Sequence, residues 1–162
     1  MTQPKDLLRD TPASLSGLDA LRKALANAHN APIADTLGFR MVAVSEGEAV
    51  FESTPTSAVY NPIGSVHGGF SAAILDSACG CAVHTVLSGS QGYTTLELKI
   101  AYHRAINLQS GKLRCVGRVQ TAGKRVAFAT AEIHDEAGKL CASATSTLLV
   151  FDLPKREPQS SE

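Results

Sequence analysis

Apolar positions along this chain follow two rhythms, one of helical period and one of period two. Leu18, Leu21, Leu25 and Ala28 recur at helical spacing, and Ser16 with Asp19 three residues on resembles a capping box with Asp in place of Glu. This predicts a short amphipathic helix over about residues 16–28, ended before Pro32. Phe39, Met41 and Ala43 then alternate toward a Glu46-Gly47 turn, with Val42 and Val44 blurring the pattern, and Ala49, Phe51 and Ser53 alternate beyond it. Two such runs joined by a Gly-containing turn predict a β-hairpin. Residues 54–64, with Pro55, Pro62 and Gly64, form a predicted loop. Residues 65–85 (SVHGGFSAAILDSACGCAVHT) are rich in Ala and Ser and long enough for a helix rather than a strand. Thr94–Tyr102, Lys112–Gln120, Arg125–His134 and Leu140–Phe151 alternate again, with Gly111, Gly123 and Gly138 at the connections. The order fits an α+β arrangement in which one antiparallel sheet of five to six strands packs on a single central helix.

That central helix is unusual on a wheel. Phe70, Ile74, Cys81 and Thr85 lie on one side, Leu75 and Cys79 well round from them, and a third arc holds Gly69, Ala72, Ala73, Asp76, Gly80 and Val83. A helix that is apolar or small all round tends to be buried on all sides, and one sheet covers only one of them. A second copy of the chain is the expected cover, which predicts a homodimer.

Composition narrows the function. With 15 Lys+Arg against 15 Asp+Glu, the chain lacks the basic excess that gripping nucleic acid or an anionic membrane needs. No apolar run reaches the roughly 18–20 residues of a membrane span. The opening MTQPKDLLRDTP lacks the apolar stretch of a secretory signal, so the expected location is cytoplasmic. Cys79, Cys81, Cys115 and Cys141 have no disulfide-framework spacing and are expected to be buried free thiols. The five His residues show no ligand spacing, and no metal site is expected.

Two features of the helix could carry chemistry. Asp76 is the only charged residue between Gly68 and Val83. A carboxylate on a buried helix costs several kcal/mol unless it is paired, hydrogen-bonded or neutralised. It is either satisfied by backbone N–H groups or an Arg across an interface, or open to a substrate that its small neighbours let approach. His67-Gly68-Gly69 lies where a helix N-terminus presents unpaired N–H groups and the positive end of its dipole. Such donors suit the oxyanion of acyl transfer, while the same glycine pair could serve only a tight turn. A phosphate-binding loop fits poorly, because no Gly-Lys-Ser/Thr follows.

The run NPIGSVHGGFSAAILD resembles the signature of hotdog-fold thioesterases of the PaaI-like (phenylacetate-degradation) branch. Asn61 stands six residues before His67-Gly68-Gly69, and Asp76 nine residues after His67, as in that pattern. YTTLELKIAYHR resembles the family's strand after the helix, and TAGKRVAFATAEI with DEAGKLCASAT its closing hairpin. The likeness covers about residues 35–151, between an N-terminal tail and helix (1–34) and a disordered C-terminal tail (152–162). It implies a hotdog fold, an acyl-CoA thioesterase activity on an aromatic or medium-chain acyl group, and no cofactor beyond the CoA of the substrate. It also implies a homodimer or a dimer of dimers (a homotetramer) with sites at the subunit interface. By position, Gly68 would supply the oxyanion-hole N–H, and Asn61 and His67 would orient thioester or water. Asp76 would be nucleophile or general base, and Thr95 would bond the attacking water or the carboxylate. Gly69 would line the substrate site. Lys124, Arg125 and Arg104 are candidate contacts for the CoA phosphates, although Lys124-Arg125 also suits a solvated turn. Arg104-Ala105-Ile106 departs from the family, where a Pro is common. An enoyl-thioester hydratase and a non-catalytic acyl-CoA-binding protein of the same fold are the alternatives.

Overall fold

The computed structural model describes residues 14–154. The expected N-terminal tail over 1–13 and the last residues, 155–162, lie outside the described residues. The chain runs α1 (Gly17–Ala26), α2 (Pro32–Leu37), β1 (Phe39–Ser45), β2 (Glu48–Ser53), α3 (Gly68–His84), β3 (Gln91–Tyr102), β4 (Leu113–Ala122), β5 (Val126–His134) and β6 (Leu140–Asp152). Ser16 caps α1 as expected, its Oγ accepting from the Asp19 N–H at 3.1 Å. The first helix is shorter than its predicted 16–28, and the pattern missed α2 altogether. Pro32 opens α2 at its first turn and Gly38, at φ 72°, closes it in the left-handed region. Those punctuation marks are legible, but six residues are too few to show a period.

The six strands form one antiparallel sheet in the order β1-β2-β4-β5-β6-β3. This is the hotdog arrangement, with α3 held in the curve of the sheet and touching β2, β3, β4, β5 and β6. β3 begins at Gln91, three residues before its predicted start, and crosses to the far edge to pair with β6. β6 extends to Asp152, and the Leu153 N–H donates to the Ser90 carbonyl at 2.7 Å, so the expected boundary of the tail falls inside the sheet.

Phe70, Ile74, Leu75, Ala78, Cys79, Ala82 and Val83 carry α3 into a core completed by Phe51, Leu113, Cys115, Ile133 and Leu148. Gly117 of β4 lies directly beneath Ala78, where a Cβ would strike the helix backbone. That close approach is why a glycine occupies a strand interior it would otherwise weaken. All four cysteines are free, and Cys81 is only half-buried whereas the other three are buried. Two residues of the small arc, Val83 and Gly80, are buried within the chain, the latter under the Tyr93 ring. Gly69, Ala72, Ala73 and Asp76 do retain open surface, as does Ser77.

Candidate active site

The loop before α3 is tied down by its own polar groups. The Asn61 Oδ1 accepts from the backbone N–H groups of Ile63 (3.1 Å) and Ser65 (3.2 Å), and its Nδ2 donates to the Ser65 Oγ at 3.0 Å. The N–H groups of Val66 and His67 donate to the carbonyls of Ile106 and Val59. The chain therefore enters α3 at a fixed angle, with His67 extended as its N-cap. The His67 Nδ1 accepts from the Gly69 N–H at 2.8 Å, and the Phe70 N–H donates to the His67 carbonyl at 3.0 Å. The Gly68 N–H finds no acceptor among the described residues. A helix start with one free donor at its positive end is an anion-binding position. Because Nδ1 accepts, the neutral His67 imidazole carries its proton on Nε2, as a second donor.

Sequence reasoning missed Tyr102, whose Oη donates to the Gly68 carbonyl at 2.9 Å. A Cβ on Gly68 would come within 3.0 Å of that hydroxyl, so glycine is what lets the ring close over the helix start. The AYHR segment drew attention to Arg104 but not to Tyr102, because nothing in the spacing shows which strand residues reach the helix end. A cleft of about 500 Å³ opens here, lined among others by His67, Gly68, Gly69, Tyr102, His103 and Arg104. Among the described residues no acidic side chain lines it, so its donors and cations meet no competing carboxylate there. Lys124 and Arg125 lie elsewhere, exposed at the β4–β5 turn, without an ion-pair partner among the described residues.

Asp76 sits two turns along the same helix, half-buried on its open side. The Thr95 Oγ1 donates to the Asp76 Oδ1 at 2.9 Å, joining β3 to α3, while Oδ2 has no protein donor among the described residues. The neighbouring thiols are poor nucleophiles: burial and then the Asp76 charge push Cys79 and Cys81 up to about 12, so both stay protonated at neutral pH. Gly68 and Asp76 are eight residues apart, about 12 Å of helix rise. One carbonyl cannot touch both within a single chain. The structure thus gathers the predicted residues into three places: Asn61, His67, Gly68, Gly69 and Arg104 around the helix start, Asp76 with Thr95 on its flank, and Lys124-Arg125 apart from both.

The thioesterase superfamily model matches residues 63–142, which spans both the helix start and the Asp76–Thr95 pair. A 1,4-dihydroxy-2-naphthoyl-CoA hydrolase of Listeria monocytogenes is 28% identical over 116 residues, 72% of this chain and 93% of the relative. Among solved structures, a phenylacetic acid degradation-related protein of Ralstonia eutropha superposes with a TM-score of 0.71 at 30% identity, over 79% of this chain and 97% of that one. The phenylacetic acid degradation protein PaaI of Thermus thermophilus gives a TM-score of 0.66 at 27% identity, over 73% and 97%.

Proposed function

The chain belongs to the thioesterase superfamily and is a hydrolase of acyl-CoA thioesters; from that premise we propose that its acyl group is aromatic or medium-chain, with Asp76 as nucleophile or general base and the Gly68 N–H as oxyanion hole. The observation that carries this reading is the unclaimed Gly68 N–H at the start of a helix whose flank holds Asp76 by one oxygen and leaves the other free. Donors aimed at the developing oxyanion lower the barrier to attack on the thioester carbonyl. The free Oδ2 either attacks that carbonyl or takes a proton from the attacking water, and Thr95 keeps the carboxylate turned toward the reaction. The departing CoA sulfur leaves as a thiolate, a far weaker base than an alkoxide, so no strong general acid is required. The reaction needs no cofactor, because CoA arrives as part of the substrate.

The helix rise of about 12 Å between the two groups supports a site shared by two copies, Gly68 of one facing Asp76 of the other. A homodimer, alone or paired into a tetramer, also covers the open side of α3. In this arrangement Asn61 acts through the loop it ties, His67 adds the Nε2–H donor, and Gly69 keeps the approach clear. Arg104 at the cleft and the Lys124-Arg125 turn are the cations offered to the CoA phosphates. The aromatic acyl group draws support from the naphthoyl-CoA hydrolase and phenylacetic acid proteins among the relatives. No described helix is long and apolar enough to cross a membrane, and we place the enzyme in the cytoplasm.

A panel of aroyl-, medium-chain and enoyl-CoA thioesters tests this reading. Free thiol release from the first two is the expected result. Hydration without thiol release, or tight binding with neither, would replace hydrolysis by the hydratase or the binding protein.

A further inference from the structure

The first two peptides of α3 carry four polar groups, and three of them are tied down. The His67 carbonyl accepts from the Phe70 N–H at 3.0 Å. On the next peptide the Gly69 N–H donates to the His67 Nδ1 at 2.8 Å, and the Gly68 carbonyl accepts from the Tyr102 Oη at 2.9 Å. Among the described residues only the Gly68 N–H is left over. Two of the three ties are made within the helix and its cap, so they turn with it. Within α3 the Gly68 carbonyl likewise faces only an N–H of its own helix one turn on. The Tyr102 bond is the one that comes from the sheet.

Tyr102 is firmly mounted for this. It is the last residue of β3 and pairs with Ala142 of β6. Just beyond it, the N–H groups of His103 and Arg104 both donate to the Cys141 carbonyl, at 2.8 and 3.1 Å, which pins the strand end. The Ile106 carbonyl, on the same segment, accepts from the Val66 N–H at 2.9 Å. The exit of β3 therefore grips the chain on both sides of His67, at Val66 and at Gly68. The fit is close: a Cβ on Gly68 would meet the Tyr102 Oη at 3.0 Å and the ring at 3.1 Å. The ring itself is exposed, so the core gains little from it.

We propose that Tyr102 is a positioning residue for the oxyanion hole: its hydroxyl ties the Gly68–Gly69 peptide to the sheet and so keeps the Gly68 N–H aimed at the thioester oxygen. Two successive glycines leave the backbone without the restraint of a Cβ, and the phenol supplies that restraint. A donor fixed before the reaction stabilises the developing charge with no cost of reorientation. Tyr102 acts through Gly68 and touches no reacting atom itself. The inference rests on the reading of Gly68 as oxyanion hole and adds a residue to that site.

The test is Tyr102→Phe, assayed on the better turned-over of benzoyl-CoA and octanoyl-CoA. The carbonyl stretch of the same thioester is also recorded when bound to Asp76→Asn and to the Asp76→Asn/Tyr102→Phe double variant. The expected loss is about fivefold to tenfold in kcat, with KM within about twofold of wild type and an unchanged melt. In Asp76→Asn the bound carbonyl band should lie at lower wavenumber than in the free thioester, and in the double variant it should move part of the way back. An unchanged kcat, a loss carried by KM, or a band that stays put in the double variant would overturn the role of Tyr102 alone. A band in Asp76→Asn no lower than that of the free thioester would overturn the Gly68 reading, and this proposal with it.

Discussion

On the side of α3 that meets the sheet, Phe70, Ile74, Ala78, Cys79 and Ala82 are buried, whereas on the other side Ala72, Ala73, Asp76 and Ser77 keep part of their surface open. The two sets differ both in size and polarity and in what they touch. Toward β4 the helix packs closely, and Gly117 beneath Ala78 marks how near the backbones approach. Toward the open side the neighbours are small, and the one carboxylate is held by Thr95 at a single oxygen. The packed side fixes where the helix lies, and the open side can therefore carry a charge that the core could not accept.

Filling the packed side should separate these roles most strongly. Gly117→Val would drive a side chain into the Ala78 carbonyl, which belongs to helix backbone and cannot turn away. Overpacking of this kind costs about 3 kcal/mol, and thermal unfolding should fall by roughly 6–12 °C. An unchanged melt would mean that the helix has slack on this side. On the open side, Thr95→Ala removes the 2.9 Å bond to Asp76 and nothing from the core. A drop of about tenfold in kcat with an almost unchanged melt is expected; a change confined to the melt would make the pair structural.

The smallest effect lies at the end of the helix. Burial lowers the pKa of His84 below its ordinary 6.5. Between the two values the unfolded chain binds a proton that the folded chain refuses, so folding stability is full above about 6.5 and is lost as pH falls through the lower, folded value. Denaturant midpoints across that acid window should decline less in His84→Asn than in wild type. Parallel declines would assign the loss to other groups.

The same contrast explains what could be read without coordinates. α3 and the hairpins were legible because period and turn glycines are local signals. α2 was missed because its signals lie only at its ends, and the pairing of β3 with β6 joins segments some fifty residues apart with no local trace. In the site, Gly68 and Asp76 stood out by type and position, and Thr95 entered through the family resemblance. Tyr93 and Tyr102 were invisible, because a strand pattern shows which face a side chain takes but not which helix turn it meets. The wheel grouped Gly80 with Asp76 by angle, yet it could not show that a tyrosine from β3 covers Gly80.

The central claim is that the open side of α3 does chemistry that its packed side only supports, and Asp76→Asn tests it most directly. The amide keeps the size of the carboxylate and can still meet Thr95, but it can neither attack a thioester nor take a proton from water. Thiol release from an aroyl-CoA should fall by about 10²–10⁴ in kcat while the thermal melt stays close to wild type. Near-wild-type turnover in that variant would contradict the account.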